Sequence, residues 1–239
     1  MEEPKKWVPA FALILIALIF SIAAIRMPWW SVKTTLGANL VRNSTAKAEY
    51  WLVQSVMASI SEDNKTATVT VPFLNLKAEN ADKNALVSIF NNSLMLTLGG
   101  LALTALALVL ILISGLRKPL FTFGTVTAAV AAILLLIAPL YLTFSSPLVM
   151  TKFDEVMPLK IPSSWVSFRP EEISSFWGSV AIPESPSFPE WSWNAAFWNW
   201  GAASGWYMAF TASLFLFIAS AWIYTTAAKK SAGPRFEEA

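Results

Sequence analysis

The side chains that could act on a substrate are few. Histidine and cysteine are both absent from the 239 residues. That removes imidazole catalysis, thiolate nucleophiles, disulfides, and the zinc, haem or copper sites that need those ligands. Asp154-Glu155 and Glu171-Glu172 are paired carboxylates, but acid–base work needs two groups within reach of one bond. Neighbours in sequence rarely converge in that way, and solvated loop acids are the simpler reading. With no histidine, a serine nucleophile would need lysine as its base, and no such pairing is legible against an apolar wall. No glycine-rich phosphate loop occurs either. The chain reads as non-enzymatic, with no catalytic residue, cofactor or metal.

Tryptophan offers binding chemistry instead. Seven tryptophans lie between Trp165 and Trp206. An aromatic belt at the membrane–water boundary, together with the core of a small outer domain, accounts for such a cluster. Trp198 and Trp206 suit the belt. A groove for a lipid, glycan or protein is the sharper reading, because exposed tryptophan is favoured at interfaces. Trp165, Trp177, Trp191 and Trp193 are its candidate surface. Asn43 (Asn-Ser-Thr) and Asn64 (Asn-Lys-Thr) match the N-glycosylation acceptor pattern, and a third match, Asn91-Asn92-Ser93, lies close to an apolar run.

The elements that must position these residues are dictated by composition. Apolar residues make up 56% of the chain and charged ones 13%, against roughly 25% charge in a soluble domain. Four stretches reach the roughly 20 apolar residues that a bilayer core requires. They are residues 7–25, 86–116, 120–144 and 204–228, and their interiors carry no charge. An ion-coupled transporter usually places acids or bases there, so proton-coupled transport is disfavoured. Lys5, Lys6, Arg117, Lys118, Lys229, Lys230 and Arg235 fall in three short flanking segments, 1–6, 117–119 and 229–239. The positive-inside rule then puts both termini and the short turn in the cytoplasm of a cell whose plasma membrane the chain crosses four times. A net charge of +2 gives no support to a nucleic-acid partner.

Two long outer segments remain. In residues 26–85, Thr66, Thr68 and Thr70 alternate with Ala67, Val69 and Val71, the period of a half-buried strand. Residues 46–60 are rich in β-branched and aromatic types, Ser61 to Lys65 is turn chemistry, and a further strand fits Trp29 to Leu36. A meander of three or four antiparallel strands is expected, with Pro72 on an edge or at a bulge. Residues 145–203 hold seven of the fourteen prolines. There Pro170-Glu171-Glu172 can open a short helix, and a helix from Pro189 through Trp191, Trp193, Phe197, Trp198 and Trp200 leads into the fourth span.

Small residues recur every four positions: Gly124, Ala128 and Ala132 in the third span, and Gly201, Gly205, Ala209 and Ser213 along the fourth. Such ladders let helices approach closely in lipid. They serve packing within the bundle, or contact with another copy or subunit. Pro139 predicts a kink in the third helix.

Four spans, cytoplasmic ends, a β-rich first outer loop and a short inner turn resemble the claudin and peripheral myelin protein superfamily. Pro28-Trp29-Trp30 and Trp51 stand where that family has its tryptophan motif, while its cysteine pair has no counterpart. Pro-Trp-Trp after a first span also resembles tetraspan proteins of archaea. The resemblance implies a four-helix membrane bundle carrying an extracellular antiparallel β-sheet, here with a Pro/Trp-rich second outer loop. It also implies adhesion, sealing or subunit organisation. The expected function is protein–protein contact at the cell surface through the outer domain, homotypic contact included, with the lipid bilayer and a protein partner or second copy as partners. The alternatives are an accessory subunit of a larger membrane enzyme or transporter, and a lipid- or glycan-binding protein.

Overall fold

A computed structural model describes residues 8–38, 43–62, 65–76, 78–114, 118–152, 175–182 and 193–231. Four helices dominate: α1 (Val8–Ile25), α2 (Asn80–Ser114), α3 (Lys118–Met150) and α4 (Ser204–Ser231). All four are long and apolar enough to cross a membrane. In lipid every backbone polar group must find its partner within the chain, so an uncharged run such as Val8–Ile25 has helix as its only open-ended solution. At 35 residues, α2 extends about 52 Å, well beyond a hydrocarbon core of about 30 Å. Its first turn carries Asp82, where an acid suits the positive helix end. The backbone N–H groups of Asp82 and Lys83 donate to the Glu79 carbonyl at 3.1 and 3.0 Å. α3 runs as one element past Pro139 to Met150, beyond the expected end at Phe144.

The chain divides into two units. One comprises α1, the parts of α2 and α3 within Met95–Pro139, and α4 from Met208 on. Its interior is built from small residues: Ala10, Ala17, Ala107, Ala128, Ala131, Ala132, Ala212 and Ala219, with Ile14, Ile111, Leu135, Leu216 and Ile223 between them. Large aliphatics such as Leu15, Ile19, Leu106, Val126, Ile133 and Leu214 point outward. This inverts the pattern of a soluble bundle. It is the arrangement expected where the surroundings are as apolar as the core and close backbone approach drives association.

The second unit comprises Arg26–Leu94 and Leu140–Tyr207. It holds a six-stranded sheet of β1 (Pro28–Ala38), β2 (Asn43–Trp51), β3 (Ser55–Glu62), β4 (Lys65–Pro72), β5 (Gly178–Ile182) and β6 (Trp193–Ala202). The spatial order is β4-β3-β2-β1-β6-β5, with every neighbouring pair antiparallel. The expected antiparallel sheet is present, and it is larger than a three- or four-stranded meander because the second inter-helix segment adds β5 and β6. The helix expected from Pro189 is corrected to strand β6 over Trp193–Ala202. Its aromatic-rich sequence favours a pleated surface, and β1 supplies the ladder, with Trp30 opposite Ala202 and Val32 opposite Trp200. Pro72 ends edge strand β4, where a missing N–H costs no ladder bond.

On β1, β2 and β3 one face of the sheet is buried, whereas on β4 both the threonines and Ala67 and Val69 are exposed. Trp30, Val32, Ala46, Ala48, Tyr50, Val56 and Ala58 are closed to solvent. Around Tyr50 the aromatic rings of Trp30, Phe73 and Phe90 pack at centroid distances of 5.1, 5.8 and 6.2 Å, and Phe73 meets Phe90 edge-on at 4.9 Å. Phe90 comes from α2, so these rings join sheet and helix within this unit. Asn92 Nδ2 on α2 donates to Tyr141 Oη on α3 at 3.2 Å, and Lys152, just past the end of α3, lies 3.4 Å from Asp82 on α2.

Candidate functional site

The open face of the sheet follows from the two-residue period. Ser31 and Lys33 on β1, Thr45, Lys47 and Glu49 on β2, Met57, Ser59 and Ser61 on β3, and Thr66, Thr68 and Thr70 on β4 are all partly or fully exposed. Register aligns them in rows: Lys33 opposite Lys47, Lys47 opposite Ser59, and Ser59 opposite Thr68. Two lysines directly opposite repel, and Lys47 is compensated by an ion pair with Glu49 on the same strand. The face is thus a hydroxyl-lined, sparsely charged surface. Tyr50 lies on the opposite face. Burial pushes its phenol far above the ordinary range, and the group stays neutral.

The tryptophans form a second feature, used largely for construction. Trp177-Gly178 and Trp200-Gly201 interlock. A Cβ on Gly178 would sit 2.2 Å from Cζ2 of Trp200, and one on Gly201 would sit 2.4 Å from Cδ1 of Trp177. Each indole therefore lies on the other dipeptide's glycine, across the pairing of Gly178 with Trp200. Indole N–H groups then fasten the segment leading into β5: Trp200 Nε1 donates to the Ser175 carbonyl at 2.9 Å, and Trp30 Nε1 to the Phe176 carbonyl at 3.1 Å. Trp206 Nε1 donates to Thr143 Oγ1 at 3.1 Å, and its ring meets Trp177 edge-on at 5.5 Å.

Of the candidate surface residues, Trp177 keeps 44% of its surface exposed and Trp193 opens β6. Trp165 and Trp191 lie outside the described residues. So do Asn64 and the expected helix at Pro170; Asn43 is the first residue of β2. Gly124, Ala128 and Ala132 are buried on α3. A Cβ on Gly124 would lie 2.8 Å from Ile111 Cγ1 on α2. The ladder assigned to the fourth helix splits in three. Gly201 belongs to β6, not to a helix. Gly205 lies on α4, but its close neighbours are Trp29 Cδ1 and the Met27 carbonyl, at 2.5 and 2.7 Å from a would-be Cβ. Ala209 and Ser213 are buried on α4, and Ser213 Oγ donates to the Ala132 carbonyl on α3 at 2.9 Å. Sequence spacing does not single out Phe176 or Gly178, and it puts Trp200 in a helix rather than in β6. The available signal was that Trp-Gly occurs only at 177–178 and 200–201.

No family model matches the chain, and no curated protein is similar enough to count as a match.

Proposed function

We propose that this chain is a non-enzymatic tetraspan protein of the plasma membrane. Both termini are cytoplasmic, and the sheet-bearing unit is extracellular and binds another protein or a second copy of the chain. The observation that carries this reading is that β1, β2 and β3 spend one face on an aromatic core and leave the other as a row of hydroxyls and lysines, continued by the exposed threonines of β4. The seven basic residues confined to the three short flanking segments support the orientation. The claudin-like arrangement of spans, β-rich first loop and short inner turn supports adhesion or surface organisation. The small-residue ladders are largely consumed within the bundle and the sheet unit, so the accessory-subunit reading has less free surface to work with.

Lys33 on the open face gives the test. Amine cross-linking in native membranes, resolved by mass spectrometry, should join Lys33 to another chain or to a second copy, and native mass spectrometry from mild detergent should show that neighbour. A monomer with no intermolecular link at Lys33 overturns the reading.

A further inference from the structure

Strand β4 closes one end of the sheet, with β3 as its single neighbour among the described residues. From Thr66 to Thr70 every residue is exposed, so neither face of this stretch is covered. On β2 and β3, by contrast, buried and partly exposed positions alternate. Sheet proteins blunt such an edge with charge, a bulge, an internal proline or brevity. β4 has eight residues, pairs with β3 without a register shift, and carries no charge or proline between Thr66 and Val71.

The ladder fixes which backbone groups face outward. In an antiparallel pair, residues that exchange hydrogen bonds with the neighbour alternate with residues that do not. The Phe73 N–H donates to the Gln54 carbonyl at 2.9 Å, continuing the register that pairs Ser55 with Pro72 and Ala58 with Val69. Stepping back by two, Val71, Val69 and Ala67 turn their N–H and C=O toward β3. Thr70, Thr68 and Thr66 turn theirs away from it. Pro72 falls in the outward set, where its missing N–H leaves no gap between β3 and β4.

This edge is also close to its own mirror in sequence: Thr66-Ala67-Thr68-Val69-Thr70 reads alike in both directions apart from alanine for valine. Laid antiparallel on a second copy with Thr68 opposite Thr68, Thr66 falls opposite Thr70 and Ala67 opposite Val69. Each of the outward threonines then meets an outward threonine, and each such pair exchanges two N–H···O bonds. A slide of one residue would set outward groups against groups already turned to β3. A slide of two would leave one threonine of each copy without a threonine opposite. No charged residue lies in the paired stretch, so no like charges are brought together. A two-fold contact requires that residue i meets j while j meets i, and this edge satisfies that condition with itself.

We infer that two copies of the chain join edge to edge through β4, with Thr68 on the two-fold axis, to form one continuous sheet. The occupant of the edge is a second copy because the register that pairs all the outward threonines is the symmetric one. This dimer is one form of the protein contact proposed above for the sheet unit and rests on that reading, with the edge of the sheet rather than its open face as the join. Main-chain hydrogen bonds supply the affinity, as in other cases of strand addition.

The chain has no cysteine of its own, so single cysteines report the register. T66C, T68C and T70C, all at exposed positions, are purified as full chains in mild detergent and oxidised with copper phenanthroline. Residues opposite each other in a hydrogen-bonded pair have Cα atoms about 5.5 Å apart, within the roughly 4.4–6.8 Å that a disulfide spans. T68C should therefore form a disulfide-linked dimer. T66C alone and T70C alone should each give severalfold less, because their two copies lie about 13 Å apart along the ladder. Mixing T66C with T70C should restore the yield. T68P removes an outward N–H at an edge position that tolerates proline. It should abolish the dimer in native mass spectrometry while slow amide exchange of β3 is retained. A monomeric T68C, equal yields from the three single variants, or a wild-type level of dimer in T68P overturns the proposal. A link from Lys33 to a different protein beside a monomeric T68C would sink the dimer and leave the broader reading of the sheet unit standing.

Discussion

Replacing Gly178 by alanine tests whether the two Trp-Gly dipeptides hold β5 on β6. The added Cβ would lie 2.2, 2.5 and 2.9 Å from Cζ2, Cε2 and Cη2 of Trp200, where carbon atoms prefer about 3.5–4.0 Å. The ring would have to withdraw by about 1 Å, yet its Nε1 is tied to the Ser175 carbonyl and the residue is buried. Overpacking of this kind costs about 1–3 kcal/mol. The cost rises toward about 3–5 kcal/mol if the indole is expelled altogether. At roughly 1.4 kcal/mol per tenfold, the lower range speeds amide exchange of Ser179–Ile182 by about 5- to 150-fold. The assay is hydrogen–deuterium exchange on the full chain in mild detergent. Gly99→Ala is the control, since its Cβ meets nothing closer than Leu134 Cδ1 at 3.4 Å and should leave β5 unchanged. Wild-type exchange in Gly178→Ala would refute the interlock.

Gly205→Ala forces a methyl against Trp29 and the Met27 carbonyl and should lower the apparent Tm by a few degrees, about 2–4 °C per kcal/mol for a chain of this size; a calorimetric melt checks it. Trp30→Phe removes the donor to the Phe176 carbonyl and leaves an acceptor unpaired, at about 1–3 kcal/mol, and should raise exchange in the segment entering β5. Ser213→Ala deletes the α3–α4 hydrogen bond, where the average for such bonds in membranes is about 0.6 kcal/mol; a small fall in Tm is expected, and none is expected for Ser204→Ala on the exposed first turn of α4. Tyr50 has its folded-state pKa raised by burial, so its contribution to stability is complete below the ordinary phenol value of about 10 and is lost as the pH climbs above it. Melts between neutral and strongly alkaline pH should fall less steeply for Tyr50→Phe than for wild type.

The helices were legible because nothing competes with them: an uncharged run of aliphatics has few other structures available in lipid. β3 and β4 were legible through the alternation of Thr66, Thr68 and Thr70 with Ala67, Val69 and Val71 and the polar turn before them, and β1 through Trp29 to Leu36. β6 was not. Trp193 to Trp200 places aromatics at spacings compatible with either period, and only the open edge of β1, distant in sequence, decides for strand. The same non-local dependence misassigned Gly201 and Gly205. A four-residue recurrence of small residues is identical whether a helix, a tryptophan or a carbonyl fills the space beside each one. For Ser213 the helical period of α4 suffices to place its hydroxyl against the Ala132 carbonyl of α3. The hydroxyl row on the sheet was half visible, in the threonines of β4. Its continuation to Lys33 required the register.

The pairing of β1 with β6 has a consequence for biogenesis. β1 emerges from the ribosome just behind the first helix, while its second neighbour is made only after three helices have been synthesised. Throughout that interval one margin of the nascent sheet offers free N–H and carbonyl groups to any passing strand. A chain stalled or cut before residue 193 should therefore retain the hairpins β1–β2 and β3–β4 with an unsealed side. Quality-control factors that survey exposed strands would have the longest opportunity to act at that side.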